Sequence, residues 1–405
     1  MLTGTGRVGR AAAFGFVAYA FTATMLGTTL PTPLYPEYEA RFGFGALTVT
    51  IVFATYAVGV LAALLVFGRA SDTIGRRPTL LAGLASAAAS TIVFLLVAQI
   101  HSGGLALLLV GRLLSGLSAG IFTGTATAAL ADFAGGDHPL RASLTAAVAN
   151  IGGLGLGPLT AGALAKYVAN PLTTPFLLHL ALLIPAAVAI GLMPEPVEVR
   201  KPRRLSVQRL GVPPSLRAIF IQAGTAGFAG FAVLGFFTAV SPAALALLGH
   251  HDPFLTGLVV FAVFAASAAG QVVSIRPAVR TALLAGTAIL IVGIALVGVG
   301  IGTKSFALLV AGGLVGGLGQ GLSFRSALGS VTGASPPGQR AAVSSSFFAV
   351  CYVGISLPVV GVGAASDSYG LVHAAEVFAA IIAVLSLIAL SSLARSAPID
   401  ATPLV

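Results

Sequence analysis

The sequence predicts an all-α membrane protein with twelve transmembrane helices in two pseudo-symmetric six-helix bundles. Three observations predict it: a scarcity of charge, a run of long apolar segments, and an internal repeat. Of 405 residues only 21 are Lys or Arg and 11 are Asp or Glu, so charged residues make up 8%. A soluble domain carries about 25%. Two or three soluble domains of this total length could not cover their surfaces with so few charges. Apolar residues without glycine reach 57%, which excludes a disordered chain. The single cysteine, Cys351, excludes a disulfide scaffold.

A helical span needs about 20 apolar residues. Apolar stretches bounded by charge, proline or glycine clusters fall at 11–33, 46–67, 78–100, 105–130, 142–166, 174–193, 217–246, 254–274, 281–300, 305–330, 341–365 and 371–393. These runs are continuous and too long for the alternating strands of a transmembrane barrel. Glycine within them fits a helix in lipid, where small residues let backbones approach. The first run, behind Arg7 and Arg10, is too long for the core of a signal peptide and reads as an uncleaved span.

Orientation follows from the basic residues. With the amino terminus inside, the inner segments hold Arg7, Arg10, Arg69, Arg76, Arg77, Arg141, Arg200, Lys201, Arg203, Arg204, Arg209, Arg217, Arg276, Arg280, Arg340 and Arg395. The outer segments hold Arg41, Lys166 and Lys304, while Arg112 and Arg325 lie within spans. This places a multi-pass protein in the cell (inner) membrane with both termini cytoplasmic. The net charge of +10 is then a topology signal and gives no reason to expect nucleic acid.

The longest polar stretch, 194–216, reads as a cytoplasmic linker between an amino-terminal bundle at 1–193 and a carboxy-terminal bundle at 217–405. It is either a solvated connector or a connector with a short amphipathic helix on the membrane. The two bundles repeat one another. GLSAGIFTGTATAAL (Gly116 to Leu130) matches GLGQGLSFRSALGSV (Gly317 to Val331) at an offset of 201, and Pro158 matches Pro358 at 200. MLGTTLPTP in the first span weakly matches VLGFFTAVSP in the seventh. A parallel duplication of six helices implies a pseudo-twofold axis along the membrane normal.

The most specific segment joins the second and third spans: Gly68-Arg69-Ala70-Ser71-Asp72-Thr73-Ile74-Gly75-Arg76-Arg77-Pro78. Its glycines suit a tight turn, and Asp72 is a carboxylate at a helix end, placed to bond helix amides or pair with arginines. The segment resembles the loop 2–3 signature of the major facilitator superfamily at Gly68, Asp72, Gly75, Arg76 and Arg77. Ala70 stands in place of leucine and Thr73 in place of a basic residue. The resemblance implies the major facilitator fold and a conformational latch formed by those five residues. As partners of Asp72 in such a latch, the amino end of the eleventh span, Arg141 and Arg340 are expected, with Asp132 as a further member.

Arg112-Leu113-Leu114-Ser115-Gly116-Leu117-Ser118-Ala119-Gly120 resembles the superfamily's fourth-helix motif, with Ser115 in place of glutamine. That resemblance implies a part for Arg112 in proton coupling; the alternative is a structural arginine bonded to carbonyls. An arginine within a span should face a cavity or a partner. The Gly116, Ser118, Gly120 spacing also reads as a hydrolase elbow, but it lies mid-helix and lacks the strand-to-helix turn such a nucleophile needs.

In the fifth span, Gly152 to Gly162 resembles the antiporter motif of exporters, carried by Gly153, Gly157, Pro158 and Gly162, with Ala161 replacing one glycine. Thr32-Pro33-Leu34-Tyr35-Pro36 resembles a segment common in prokaryotic exporter-like members. These matches imply a drug/proton antiporter-like exporter.

Further polar residues within spans are candidate pocket residues: Tyr19, Tyr56, Asn150, Gln222, Gln320, Arg325 and Tyr352. Arg325 aligns with Gly124 of the first half and so falls on the cytoplasmic side of Arg112. Proton coupling calls for a carboxylate with a movable pKa. Spans 1 to 11 hold none at depth, which leaves Asp132 at the inner end of span 4 and Glu376 in span 12 as coupling candidates beside Arg112. The six histidines show no metal spacing, so neither metal nor cofactor is expected.

The expected function is secondary active transport by alternating access, as proton-coupled efflux of a small organic, amphipathic or apolar compound by a monomer in the lipid bilayer. A proton-coupled importer of a nutrient such as a sugar shares the fold. A polytopic membrane enzyme would need clustered ionisable groups at one face, and a channel a filter ring; the sequence shows neither. It carries no nucleotide-binding domain, which argues against ATP-driven transport.

Overall fold

A computed structural model describes residues 9–67, 70–135, 138–197, 210–336 and 338–395. Among these, every regular element is helical: α1 (Arg10–Thr29), α2 (Tyr35–Phe42), α3 (Ala46–Phe67), α4 (Ala70–Thr73), α5 (Arg76–Val97), α6 (Gly104–Ala134), α7 (Pro139–Tyr167) and α8 (Thr174–Leu192), then α9 (Arg217–Ala239), α10 (Ser241–Leu247), α11 (Pro253–Val273), α12 (Val279–Gly302), α13 (Phe306–Gly333), α14 (Arg340–Tyr369) and α15 (Leu371–Arg395). Twelve helical segments of the described residues are long and apolar enough to cross a membrane. Gly68 and Arg69, and the basic run 198–209 of the linker, lie outside the described residues.

Proline accounts for the two expected spans that fall furthest short at their ends. The first helix was expected to reach 33, but α1 stops at Thr29, ahead of Pro31 and Pro33, and a 3₁₀ turn at Thr32–Leu34 leads into the short helix α2. The seventh was expected to reach 246, but α9 stops at Ala239 and α10 restarts at Ser241 with Pro242 in its first turn. Proline removes a backbone donor and fixes φ, so it sits well at a helix start and poorly within one. Pro158, Pro185 and Pro358 are nonetheless interior to α7, α8 and α14, as membrane helices permit. Helix starts carry ordinary caps where the sequence supplies them. Asp252 accepts from the Phe254 amide at 2.9 Å before α11, and Ser305 from the Leu308 amide at 3.4 Å before α13.

The chain divides into two compact units. The first comprises Met1–Leu34 and Thr55–Arg209, the second Tyr35–Ala54 and Leu210–Val405. The division therefore falls inside α3 and groups α2 with the carboxy-terminal helices.

In the first unit α1 packs on α6, α7 and α8, and α5 on α6 and α8. Lipid tails are as apolar as leucine, so helices associate through close backbone approach and hydroxyl-to-carbonyl bonds. Both devices appear. Ser86, Ser90 and Ser118 donate to the carbonyls of Leu114, Gly111 and Gly83 at 2.7–2.8 Å and stitch α5 to α6. Gly116 lies against the Tyr56 carbonyl of α3 so closely that no side chain fits. In the second unit α12 and α13 share a glycine seam: Gly286, Gly293 and Gly300 of α12 meet the backbone of α13 at Gly319, Gly316 and Leu308. Seven-residue spacing keeps that contact on one stripe of α12.

Candidate functional site

The residues singled out in the first unit fall into three groups. The first surrounds the start of α5. Gly75 caps α5 with φ 110°, a backbone conformation that favours glycine, and has no side chain to offer the free amides of the first turn. Glu195, just past α8, supplies the missing cap. Its Oε1 accepts from the Arg76 amide at 2.7 Å and its Oε2 from the Arg77 amide at 2.9 Å. A Cβ at position 75 would come within 2.6 Å of that carboxylate, so the position needs glycine for space as well as for φ.

Arg76, only 9% exposed, is the hub of this group. Its Nη1 donates to Asp72 Oδ1 and Ser71 Oγ, both at 2.6 Å, and its Nε donates to Asp132 Oδ2 at 3.0 Å. The Asp72 side chain is 62% exposed and Asp132's is 32%. Asp132 thus joins the cluster where the sequence placed it. The partner of Asp72 differs from those expected. Asp72 sits on the one-turn helix α4, four residues before Arg76, and pairs along the chain. Arg141 instead lies over the Phe14 ring at 4.9 Å, and Arg340 donates to the Ser335 carbonyl. Arg77 reaches the group through its amide, and Gly68 lies outside the described residues.

The second group is built on α1. Arg112 is 2% exposed, the largest side chain buried to that extent. Its Nη1 donates to the Thr28 carbonyl at 2.5 Å, and its guanidinium lies 4.9 Å from the centroid of the Tyr56 ring. The cation–π contact and the carbonyl bond together offset part of the cost of burying the charge. Thr29 Oγ1 donates to the Leu154 carbonyl of α7 at 2.8 Å. His179, from α8, packs against Gly27 of α1, with Nδ1 2.7 Å from Thr91 Oγ1 and Nε2 3.1 Å from the Ala23 carbonyl.

The third group is the α7 motif. Gly153 and Gly157 lie one turn apart on the face of α7 that meets α1, where a Cβ at 153 would press on Met25 and Thr22 and one at 157 on Thr29 and Leu26. Pro158 and Gly162 are buried beside them.

The candidate pocket residues divide between the two units. Tyr56 lies under Arg112, Tyr19 is 38% exposed and donates to the Leu182 carbonyl at 3.0 Å, and Asn150 is half-buried on α7. In the second unit Gln222 donates to Ser392 Oγ at 3.0 Å, tying α9 to α15. Gln320 is fully buried; its Oε1 accepts from Ser267 at 2.5 Å. Tyr352 joins an aromatic cluster. Its ring stands edge-on to Phe231 at 6.0 Å, Phe231 lies 5.2 Å from Phe324, and Phe324 lies 5.9 and 6.1 Å from Phe347 and Phe348. Arg325 follows Phe324 on α13 and is half-buried. Glu376 is exposed on α15, with its carboxylate against Gly302 at the end of α12. A pocket of about 360 Å³, open to solvent, is lined in the second unit by Tyr35, Glu39, Thr50, Val240, Gly363 and Ser366. None of the seven candidates lines it.

Sequence reasoning missed Glu195, His179 and the aromatic cluster. Glu195 had a usable signal, as the first of two acids directly after the sixth span in a chain poor in acids. His179 was passed over because only metal spacing was sought. The aromatic cluster draws on three helices and has no signal in any one of them.

The model of the Major Facilitator Superfamily matches residues 12–357. No curated protein sequence matches the chain. Among solved structures, the chain is similar to a bacterial homolog of the human lysosomal transporter Spinster in an inward-facing, unoccupied conformation. The TM-score is 0.70 at 13% identity, over 96% of this chain and 99% of that one. It is also similar to the human organic anion transporter MFSD10 (TETRAN), with a TM-score of 0.66 at 20% identity over 96% of this chain and 100% of that one. At these identities the two structures speak for the fold. With the sequence-wide family match and twelve helices fit to cross a membrane, they lead to one conclusion: the chain is a multi-pass membrane protein that belongs to the Major Facilitator Superfamily, a superfamily of transporters.

Proposed function

We propose that the chain carries a small organic compound of amphipathic or apolar character outward across the inner membrane by alternating access, in exchange for protons. The observation that carries the outward direction is the α7 seam. Gly153 and Gly157, the glycines of the exporter-like motif, abut the backbone of α1, the helix that Arg112 also grips. A helix held without intervening side chains can shift as a body when its neighbours move.

The turn at Asp72, Arg76 and Arg77 is read as the conformational latch. Its carboxylates compete for one guanidinium, so a change at any of them redistributes the others. Arg112 is read as the coupling group, because a buried cation biases the protonation of whatever enters beside it. The excess of basic residues in alternate segments supports termini on the cytoplasmic side.

The test is transport in inside-out vesicles across a panel of amphipathic compounds, with and without a pH gradient. Gradient-stimulated accumulation of at least one compound is expected. Accumulation that ignores the gradient would remove the proton, and movement only in right-side-out vesicles would reverse the direction.

A further inference from the structure

We propose that His179 of α8 is the group in the first unit that takes up and releases the exchanged proton, with the Thr91 hydroxyl of α5 as the switch that admits it. This rests on the proton-exchange reading and names the carrier that reading lacks.

The shortage of acids is the first argument. Asp132 is bonded to Arg76, and Glu376 is exposed on α15. α1, α5, α7 and α8 contain no acidic residue at all. His179 is 3% exposed and lies five residues into α8, about 8 Å along its axis. Histidine is the side chain whose charge changes nearest neutral pH, and within membrane spans it serves in proton relays. Of the helices packed on α8, α1 is charged only at Arg10, α5 at Arg76 and Arg77, and α7 at Arg141 and Lys166, all in a first or last turn. Tyr19 of α1 also faces α8, where its hydroxyl donates to the Leu182 carbonyl.

The ring's hydrogen bonds are the second argument. Nε2 lies 3.1 Å from the Ala23 carbonyl, which can only accept, so Nε2 carries a hydrogen. Nδ1 lies 2.7 Å from Thr91 Oγ1, and the same Oγ1 lies 2.9 Å from the Ala87 carbonyl. In the neutral ring the Thr91 hydroxyl donates to the Nδ1 lone pair. When a proton adds to that lone pair, the new N–H donates to Thr91 Oγ1, and the hydroxyl hydrogen turns to the Ala87 carbonyl. Both charge states are fully bonded, and no heavy atom moves between them. A ring present only for packing needs no such oxygens. Phe176, one turn earlier on α8, packs by stacking on Phe94 at 4.8 Å.

The third argument is what the ring touches. His179 meets α1 at Ala23 and Gly27, and Arg112 meets the same helix at Thr28. A charge on His179 therefore acts on the helix that the glycines of α7 leave able to shift. Between those two contacts stands Thr24, whose Oγ1 is buried with no partner among the described residues, as is Ser115 Oγ on α6. The contacts Thr28–Arg112 and Phe21–Phe122 make α1 and α6 antiparallel and bring Thr24 within about one turn of Ser115. Open buried hydroxyls are ordinarily met by water, and water there would carry a proton between the His179 and Arg112 contacts.

The test uses the full chain in phosphatidylcholine nanodiscs with isotope-labelled histidine, and the proton is the probe. The imidazole signal that disappears in His179→Gln should change charge state between about pH 4 and 8 in the parent. Thr91→Ser should keep that titration. Thr91→Val, which leaves the new N–H without an acceptor, should bind the proton at least about tenfold more weakly. An imidazole that stays neutral over the whole range, or one that titrates alike in Thr91→Val, overturns the proposal. Ethidium flux in proteoliposomes separates this from the transport reading. Stimulation of flux by a pH gradient should be lost in His179→Gln, whose side chain can offer an N–H and a carbonyl oxygen but takes no proton. Undiminished stimulation in that variant, or an equal fall in flux with and without the gradient, keeps transport and refutes His179 as the carrier. Titration of His179 in a parent that moves no ethidium keeps the protonation site and refutes exchange of that probe.

Discussion

Replacing Glu195 with glutamine changes one oxygen for an amide and leaves the side chain's shape intact. In the parent, each carboxylate oxygen accepts from a different amide of the α5 first turn, at 2.7 and 2.9 Å. Glutamine has one acceptor oxygen, so it can keep at most one of the two bonds, and that one becomes neutral. A charge-assisted bond is worth about 1.5–3 kcal/mol and a neutral one about 0.5–1.5 kcal/mol. The favourable placement of a negative charge at a helix amino end is lost as well. Glu195 is half-exposed, so solvent screening lowers the total, and about 1–2 kcal/mol is the expected loss. The local assay is hydrogen exchange of the peptide that holds the Arg76 and Arg77 amides. If opening of this turn controls exchange, the rate rises about five- to thirtyfold. Exchange in the middle of α5 should not change. Glu195→Asp, one methylene shorter, should fall between parent and Gln. Unchanged exchange at those two amides in Glu195→Gln would refute the argument that this distant acid caps α5.

Arg112→Ala leaves the Thr28 carbonyl without its donor and the Tyr56 ring without its cation, so gradient-driven transport per molecule should fall at least about tenfold. Arg112→Lys should recover part of it, and quantified protein in the same vesicles separates turnover from abundance. Gly116→Val drives a side chain into the Tyr56 carbonyl and should cost about 1–3 kcal/mol or prevent folding, whereas Gly124→Val, with nothing within 4 Å, should melt within a degree or two of the parent. Gly27→Ala collides with the His179 ring and should lower the melting temperature clearly. The same change in a His179→Ala background should cost much less, a coupling that a double-mutant cycle reads directly.

The twelve spans were legible because hydrophobic length is a property of single segments, and α5, α8 and α12 fall within a few residues of the expected ranges. Helix α2 was not legible. Tyr35-Pro36-Glu37-Tyr38-Glu39-Ala40-Arg41-Phe42 has the charges and a proline that suit a loop, yet Tyr35 and Tyr38 are buried and hold it as a helix. At the α5 turn the sequence offered the acids and arginines but not their pairing. Asp72 has Arg76 in reach along the helix, and a near partner needs no tertiary structure to find it. Glu195 is more than a hundred residues away from the amides it caps, and only the packing of α8 against α5 brings it there.

The internal repeat shows where this fold keeps its packing and where it varies its chemistry. At the offset of 201, Gly116 and Gly120 of α6 correspond to Gly317 and Gly321 of α13. In the first unit those glycines meet the backbone of α3 at Tyr56 and Val60; in the second they meet the backbone of α11 at Val263 and Ser267. The same pair of positions therefore makes the same kind of contact in both units, because a helix pair at that separation leaves no room for a side chain. The charged positions behave in the opposite way. Arg112 corresponds to Gly313, which packs against Phe237 and Val263, and Arg325 corresponds to Gly124, which has nothing within 4 Å. Each unit thus carries one intramembrane arginine where the other has glycine, at different depths of equivalent helices. Arg112 is satisfied inside its unit by a carbonyl and a ring, whereas no such partner meets Arg325 among the described residues. Packing alone would have preserved glycine at both positions in both halves. A cation costs too much in lipid to persist there for packing, so the two departures from the repeat, and not its shared glycines, are where binding and coupling are to be sought.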